Sequence, residues 1–186
     1  GFADADWAAA RVAHWRDGTI RSLRSGASRE ALERLLPVLM PALATAPDPG
    51  RALNRLDDMI GRLPSAINFF KLLGARPGLV ELLAEILSHA PALADVLSRR
   101  VELLEGLIDA SAFDPVPPVD VLAQQFSALE AGEDYQALLD RVRQRVNDRR
   151  FALGVQIVRG GDPLEAGRGY GRVAEAAIEA LAGATV

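Results

Sequence analysis

The chain contains no cysteine. Disulfide frameworks, thiolate zinc sites and cysteine nucleophiles are therefore all excluded. Lys71 is the only lysine among 21 basic residues, and aromatic residues make up 5% of the chain. Runs of β-branched residues are short, so little in the composition favours a sheet. No apolar run approaches the roughly 18 residues of a membrane span, and no signal peptide opens the chain, which predicts a cytoplasmic protein with no membrane partner. The formal net charge is −4. A general nucleic-acid binder needs a basic face to displace counterions, so the charge argues against that class and leaves open only a local basic patch.

What is present is apolar and helix-forming. The 186 residues are 49% hydrophobic and 25% charged, enough for one sizeable core or two small ones and incompatible with intrinsic disorder. The chain opens at Gly1 with no methionine, which points to a piece of a longer polypeptide.

The pattern along the chain is helical throughout. Residues 4–24 form a first predicted helix, with Trp7, Val12, Trp15, Ile20 and Leu23 as its apolar positions and Gly26 as its stop. Ser28 is the expected N-cap of a second helix carrying Leu32, Leu35, Leu36, Leu39 and Leu43, which Pro37 and Pro41 should kink. After the break at Ala46–Gly50, a third helix runs to about Arg62, and Pro64 opens a short fourth. Pro77 suits the first turn of the next helix, where Leu79, Leu82, Leu83, Ile86 and Leu87 make one continuous face. Pro91 opens another, and Leu103, Leu104, Leu107 and Ile108 mark the one after it. Phe113–Pro118 is the best internal boundary, because its prolines cannot be helical.

Beyond it comes a helix from Asp120 to about Leu129 and a turn at Gly132. Asp134 then caps the longest helix, with Tyr135, Leu138, Leu139, Val142 and Val146 towards the core. Residues 151–158 alternate in a way that also suits a strand; helix is preferred because the pattern continues unbroken from residue 134. Gly160-Gly161 ends it, and Asp162-Pro163 starts a last helix to about Leu181. The expected fold is all-α with no β-sheet: a multi-helix bundle over 1–112, a proline-rich connection over 113–119, and a helical pair or extension over 120–186. One continuous domain is the alternative to this division.

Chemistry-bearing constellations are sparse. His14 and His89 lack a second ligand at i+3 or i+4, so both are expected to be helix-surface or helix-end histidines rather than metal ligands. Asp57 and Asp58 point about 100° apart on a helix, so they suit a solvated face paired with Arg55 or Arg62 better than acid–base catalysis. Asp4-Ala5-Asp6 has metal-binding spacing but sits at a terminus with no preceding strand. Gly160-Gly161-Asp162 and the run Gly167, Gly169 and Gly171 match neither phosphate-binding loop. The first is a helix stop, and the second suits helix glycines against which another backbone packs closely. Arg141, Arg143, Arg145, Arg149 and Arg150 form the densest basic stretch, interrupted by Asp140 and Asp148. Its default reading is a salt-bridged, solvated face. The sharper alternative is a surface formed by Arg145, Arg149 and Arg150 that docks an acidic partner. No catalytic, cofactor-binding or metal-ligating residue is assigned.

The strings Leu63-Pro64-Ser65-Ala66-Ile67-Asn68-Phe69-Phe70-Lys71-Leu72-Leu73, Arg76-Pro77-Gly78-Leu79-Val80-Glu81-Leu82-Leu83, Ala90-Pro91-Ala92-Leu93-Ala94 and Leu103-Leu104-Glu105-Gly106-Leu107-Ile108-Asp109 occur in that order. Together they resemble the bifunctional glutamine synthetase adenylyltransferase/adenylyl-removing enzymes, in the helical region between their two nucleotidyltransferase halves. Asn147-Asp148-Arg149-Arg150-Phe151-Ala152-Leu153-Gly154-Val155-Gln156-Ile157 resembles the segment just before the second half. The chain departs from that pattern at Val101 and Glu105, where the family often has Pro-x-Leu-Leu-Asp.

The resemblance implies a parent enzyme that uses ATP and magnesium to transfer AMP to a tyrosine of glutamine synthetase and removes it by phosphorolysis. It also implies partners: the flanking nucleotidyltransferase domains, glutamine synthetase and a PII signalling protein, with glutamine as effector. The family's Gly-Ser…Asp-x-Asp signature is not found between Gly1 and Val186. The chain by itself is therefore expected to be inactive, with no cofactor of its own, and to serve as a connecting or regulatory domain. The alternative is a stand-alone helical scaffold for protein interaction; a small-molecule sensor pocket between helices has no polar constellation behind it.

Overall fold

The computed structural model describes residues 1–107, 114–127 and 134–183. All regular structure among these is helical, with no strand. The chain divides into two compact units, Gly1–Ile108 and Asp109–Val186. No helix among the described residues is long and apolar enough to cross a membrane.

The first unit begins with α1 (Ala5–Arg16), capped by Asp4, whose carboxylate accepts from the Trp7 amide at 2.8 Å. The helix stops eight residues earlier than the periodicity predicts. Gly18 takes the left-handed conformation, φ +77°. Asp17 Oδ1 accepts from the Thr19 hydroxyl and amide, at 2.7 and 2.8 Å. These bonds, the hydroxyl first, hold the Asp17 carboxyl below its ordinary range. They compete locally with the helix, which resumes only as a 3-10 turn at Arg21–Leu23.

α2 (Gly26–Thr45) is capped by Ser25, not Ser28. The Ser25 hydroxyl accepts from the Ser28 amide and donates to the Ser28 hydroxyl, which leaves Ser28 buried. The helix runs on through Pro37 and Pro41, both exposed. Each interior proline costs about 3 kcal/mol. The buried face of Leu32, Leu35, Leu36, Leu39 and Leu43 returns roughly 1.5–3 kcal/mol per side chain, so burial wins.

α3 (Pro49–Arg62) is capped by Asp48, whose Oδ1 accepts from the Arg51 amide at 3.0 Å. α4 (Ile67–Ala75) starts three residues later than Pro64, and α5 (Pro77–His89) and α6 (Pro91–Arg99) begin with their prolines as expected. α2 packs on α4 and α5, while α3 packs on α5 and α6. The predicted α5 face is buried in full. Bonds between elements lock the unit. The Ser22 hydroxyl donates to the Ile60 carbonyl at 2.6 Å, and Arg55 Nη1 donates to the Leu87 carbonyl at 2.7 Å. A 3-10 helix over Val101–Leu107 buries Leu103, Leu104 and Leu107; Ile108 and Phe113 lie outside the described residues.

The second unit holds α7 (Val119–Ser127), α8 (Tyr135–Val158) and α9 (Pro163–Gly183). Leu129 and Gly132 lie outside the described residues. α8 is one helix through residues 151–158. Asp134 caps it as predicted, accepting from the Ala137 amide at 2.8 Å. Tyr135 is 46% exposed rather than core-facing, because it sits in the first turn ahead of the buried Leu138 and Val142. α8 ends at Gly160, φ +81°, with the Gly161 amide bonded back to the Gln156 carbonyl at 2.8 Å, which satisfies a terminal acceptor. Instead of a pair, the unit is a three-helix arrangement in which α9 packs on both α7 and α8. Its core is Leu122, Phe126, Leu138, Val142, Leu153, Ala166, Val173, Ala176 and Ala180, with Val116 from the connection.

Candidate functional site

The arginine stretch lies on α8, and the helix sorts it. Arg143 pairs with Asp140 one turn back, at 3.6 Å. Arg141 and Asp148 are half-buried and partnered. Arg145 and Arg149 are half-buried, and Arg150 is exposed. None of these last three forms an ion pair with another described residue. Among the described residues the salt-bridged face therefore describes Arg143, and not Arg145, Arg149 or Arg150.

Four residues along a helix is about one turn, so Arg145 and Arg149 share a side of α8, whereas Arg150 sits about 100° round from Arg149. Arg150 is fixed at its backbone, where its carbonyl accepts from the Tyr170 phenol at 3.0 Å. Burial pushes the Tyr170 phenol above its ordinary range, with the Arg150 charge opposing. An exposed cation attracts carboxylates over a Debye length of about 8 Å at physiological salt.

The C-terminal end of α8 forms one wall of a cleft of about 550 Å³. Val116 and Leu153 give it an apolar base, and Gln156, Arg159, Asp162, Glu165 and Arg172 supply polar groups. Arg172 Nη1 donates to the Val116 carbonyl at 3.0 Å, tying α9 to the proline-rich segment. Asp162 Oδ1 accepts from the Leu164 amide at 2.9 Å at the start of α9. Two guanidinium groups face two carboxylates here, so no single sign of charge dominates.

Gly169 sets the closeness of the packing beside this cleft. A β-carbon on it would stand 2.8 Å from Leu153 Cδ2 and 3.0 Å from Val116 Cγ2. The approach predicted at the glycine run is thus real at Gly169, but to side chains rather than to another backbone. Gly167 and Gly171 face open space.

In the first unit, a cleft of about 410 Å³ between α2 and α4 is lined by the paired Glu30 and Arg34 together with Lys71. His14 lies at the end of α1 with its Nδ1 3.1 Å from Asp17 Oδ2, and His89 is exposed at the end of α5. Asp4 serves as a helix cap. No group of three or more His, Asp or Glu among the described residues is placed to hold a metal ion.

The expectation for Asp57 is corrected. It pairs with neither Arg55 nor Arg62; its Oδ1 accepts from Trp15 Nε1 at 2.6 Å, and its Oδ2 accepts from Arg11 Nη1 at 2.5 Å. Its side chain is 15% exposed. Arg55 and Arg62 bond instead to the Leu87 carbonyl and the Ser98 hydroxyl. Partners 42 and 46 residues away leave no local signal, and so the sequence reading missed them.

No family model and no solved structure matches the chain. Curated relatives do. The bifunctional glutamine synthetase adenylyltransferase/adenylyl-removing enzyme of Mesorhizobium japonicum is 35% identical over 168 residues, 89% of this chain and 17% of that protein. The protein of the same name from Agrobacterium fabrum is 34% identical over 174 residues, 92% of this chain and 18% of that one. In Caulobacter vibrioides the match is 30% over 187 residues, taking in 100% of this chain and 18% of the relative. The chain spans less than a fifth of the length of these relatives, so what it matches is a part of each. Over most of its length, the chain is homologous to one segment of the bifunctional glutamine synthetase adenylyltransferase/adenylyl-removing enzymes.

Proposed function

We propose that this chain is a non-catalytic helical connecting and regulatory segment of such an enzyme. On this reading, the intact polypeptide transfers AMP from ATP, with magnesium, to a tyrosine of glutamine synthetase and removes it by phosphorolysis. The segment holds the two nucleotidyltransferase halves in a fixed relation and carries the regulatory state set by a PII protein and glutamine. One observation carries the reading: the match fills 89–100% of this chain yet only 17–18% of each relative. A rigid helical body couples two sites when it has two packings or two docking modes.

The test places a flexible Gly-Ser insertion between Pro115 and Pro118 of the intact polypeptide. AMP transfer in the absence of effectors is expected to persist, while its response to PII protein and glutamine is lost. Full retention of that response refutes the connecting role. AMP incorporation into glutamine synthetase by the 186-residue chain alone refutes the non-catalytic one.

Arg145, Arg149 and Arg150 are proposed as a surface that docks an acidic partner, supported by their lack of ion pairs with other described residues. An exposed charge pair contributes about 0.2–1 kcal/mol, so changing all three to Ser is expected to weaken binding by roughly tenfold. The measurement is the affinity of the intact polypeptide for glutamine synthetase and for PII protein at two salt concentrations. Unchanged affinity for both sinks the assignment.

A further inference from the structure

α9 carries two apolar stripes with the same 3-4-3-4 spacing, and only one of them is covered. Ala166, Gly169, Val173, Ala176 and Ala180 face the core and are buried. Leu164, Gly167, Gly171, Ala174 and Ile178 lie on the opposite side and are all exposed. Leu164 is 63% exposed and Ile178 68%, the two highest values among the exposed large apolar residues. Between them, β-carbons on Gly167 and Gly171 would meet nothing within 4 Å. The charges of the helix, Glu165, Arg168, Arg172, Glu175 and Glu179, fall together on one remaining flank.

A helix on a free surface keeps its solvent side polar; one that is apolar on two sides is normally covered on both. Two large aliphatic side chains with glycines and an alanine between them form a shallow strip, wide enough for another helix to approach closely.

We propose that this outer stripe of α9 is a docking face for an apolar helix from the remainder of the intact polypeptide. The inference rests on the reading of the chain as a segment of a longer enzyme. In the Caulobacter relative the whole chain aligns to 18% of the length, which leaves ample polypeptide to supply the helix. The size of the stripe argues for that occupant over a second copy of the chain. A stable interface between free proteins takes about 800 Å² and some 20–30 residues from each side. Two large side chains supply a small part of that. An occupant tethered on the same polypeptide works at an effective concentration in the millimolar range, where a small face suffices.

The test is carbene footprinting with mass-spectrometric readout at Leu164 and Ile178, comparing the 186-residue chain with the intact polypeptide. Both side chains, 63% and 68% exposed in the chain, should label freely there and several-fold less in the intact protein. In the intact protein, Gly171→Leu should restore labelling of Ile178. In the chain it should leave the fold intact, because the position opens on empty space.

Equal labelling in both proteins overturns the proposal, as does continued protection in the Gly171→Leu variant. Protection within the isolated chain that grows with concentration also overturns it, in favour of self-association. Immunoblotting of the native host protein separates the two readings. A band at the mass of 186 residues removes the longer enzyme itself, whereas a band several times larger with unprotected α9 removes only the docking face.

Discussion

Replacing Trp15 by alanine is expected to lower the stability of the first unit by about 3–5 kcal/mol, the range for deleting a large buried aromatic. The side chain is fully buried, and it joins α1 to α3 in two ways. Its ring fills core volume, and its indole N–H satisfies Asp57. Trp15→Phe and Asp57→Ala separate these contributions. The first keeps most of the apolar volume and withdraws one donor. The second keeps the ring but strands the buried indole N–H, while the part-exposed Arg11 guanidinium turns to solvent. Each is expected to cost about 1–3 kcal/mol, the penalty for leaving a buried polar group unpaired.

Urea unfolding of the four proteins, followed by circular dichroism, gives the values. A loss below about 1 kcal/mol for Trp15→Ala, within the range of ordinary surface substitutions, contradicts the docking of α1 described above. So does an Asp57→Ala variant as stable as the parent.

The second large effect is expected at Gly169. A leucine there must fit where a β-carbon already lies 2.8 Å from Leu153 Cδ2 and 3.0 Å from Val116 Cγ2. Overpacking of this kind costs about 1–3 kcal/mol, and Gly169→Leu belongs at the upper end because Leu153 and Val116 are themselves buried. Gly169→Ala should come out near neutral. It gains up to about 1 kcal/mol of helix propensity, which offsets the cost of swinging the tip of Leu153 aside.

Gly167→Ala and Gly171→Ala meet no atom, so each should be stabilising by up to about 1 kcal/mol. For a chain of this size, 1 kcal/mol moves the melting temperature by roughly 2–4 °C, so calorimetry can rank the series. If Gly169→Leu proves no worse than Gly171→Leu, the close approach of α9 to Leu153 is wrong.

Much of the helical plan is local and was legible in the sequence. Pro77, Pro91 and Pro163 stand at the first turns of α5, α6 and α9, where the missing amide costs little, whereas α3 starts at Pro49, inside the stretch that reads as a break. Asp134 caps α8 by a bond to the amide three residues on, and Gly160 stops α8 by its own positive φ. The errors had the same local origin. The apolar period of the first helix continues past Asp17, while the Thr19 bonds and the Gly18 turn break the backbone there. Ser28 has the look of a cap because the helix-forming run begins after it, but Ser25 reaches its amide and caps the helix.

The candidate site was legible only in part. The arginine stretch is visible in the sequence, but which of its arginines pair with another described residue depends on where the side chains lie on α8.

The sequence by itself determined an all-α chain, the places where its helices begin and end to within a few residues, and its kinship with one segment of a longer enzyme family. Caps, first-turn prolines and apolar periods act within about four residues, so they are written where they work. The tertiary structure alone decided that Asp57 serves Trp15 and Arg11 across 42 and 46 residues, and that Arg172 reaches back 56 residues to the Val116 carbonyl. It also decided which of the two stripes of α9 enters the core. Both have the same period; only packing against α7 and α8 buries the one through Gly169 and leaves Leu164 and Ile178 in the open.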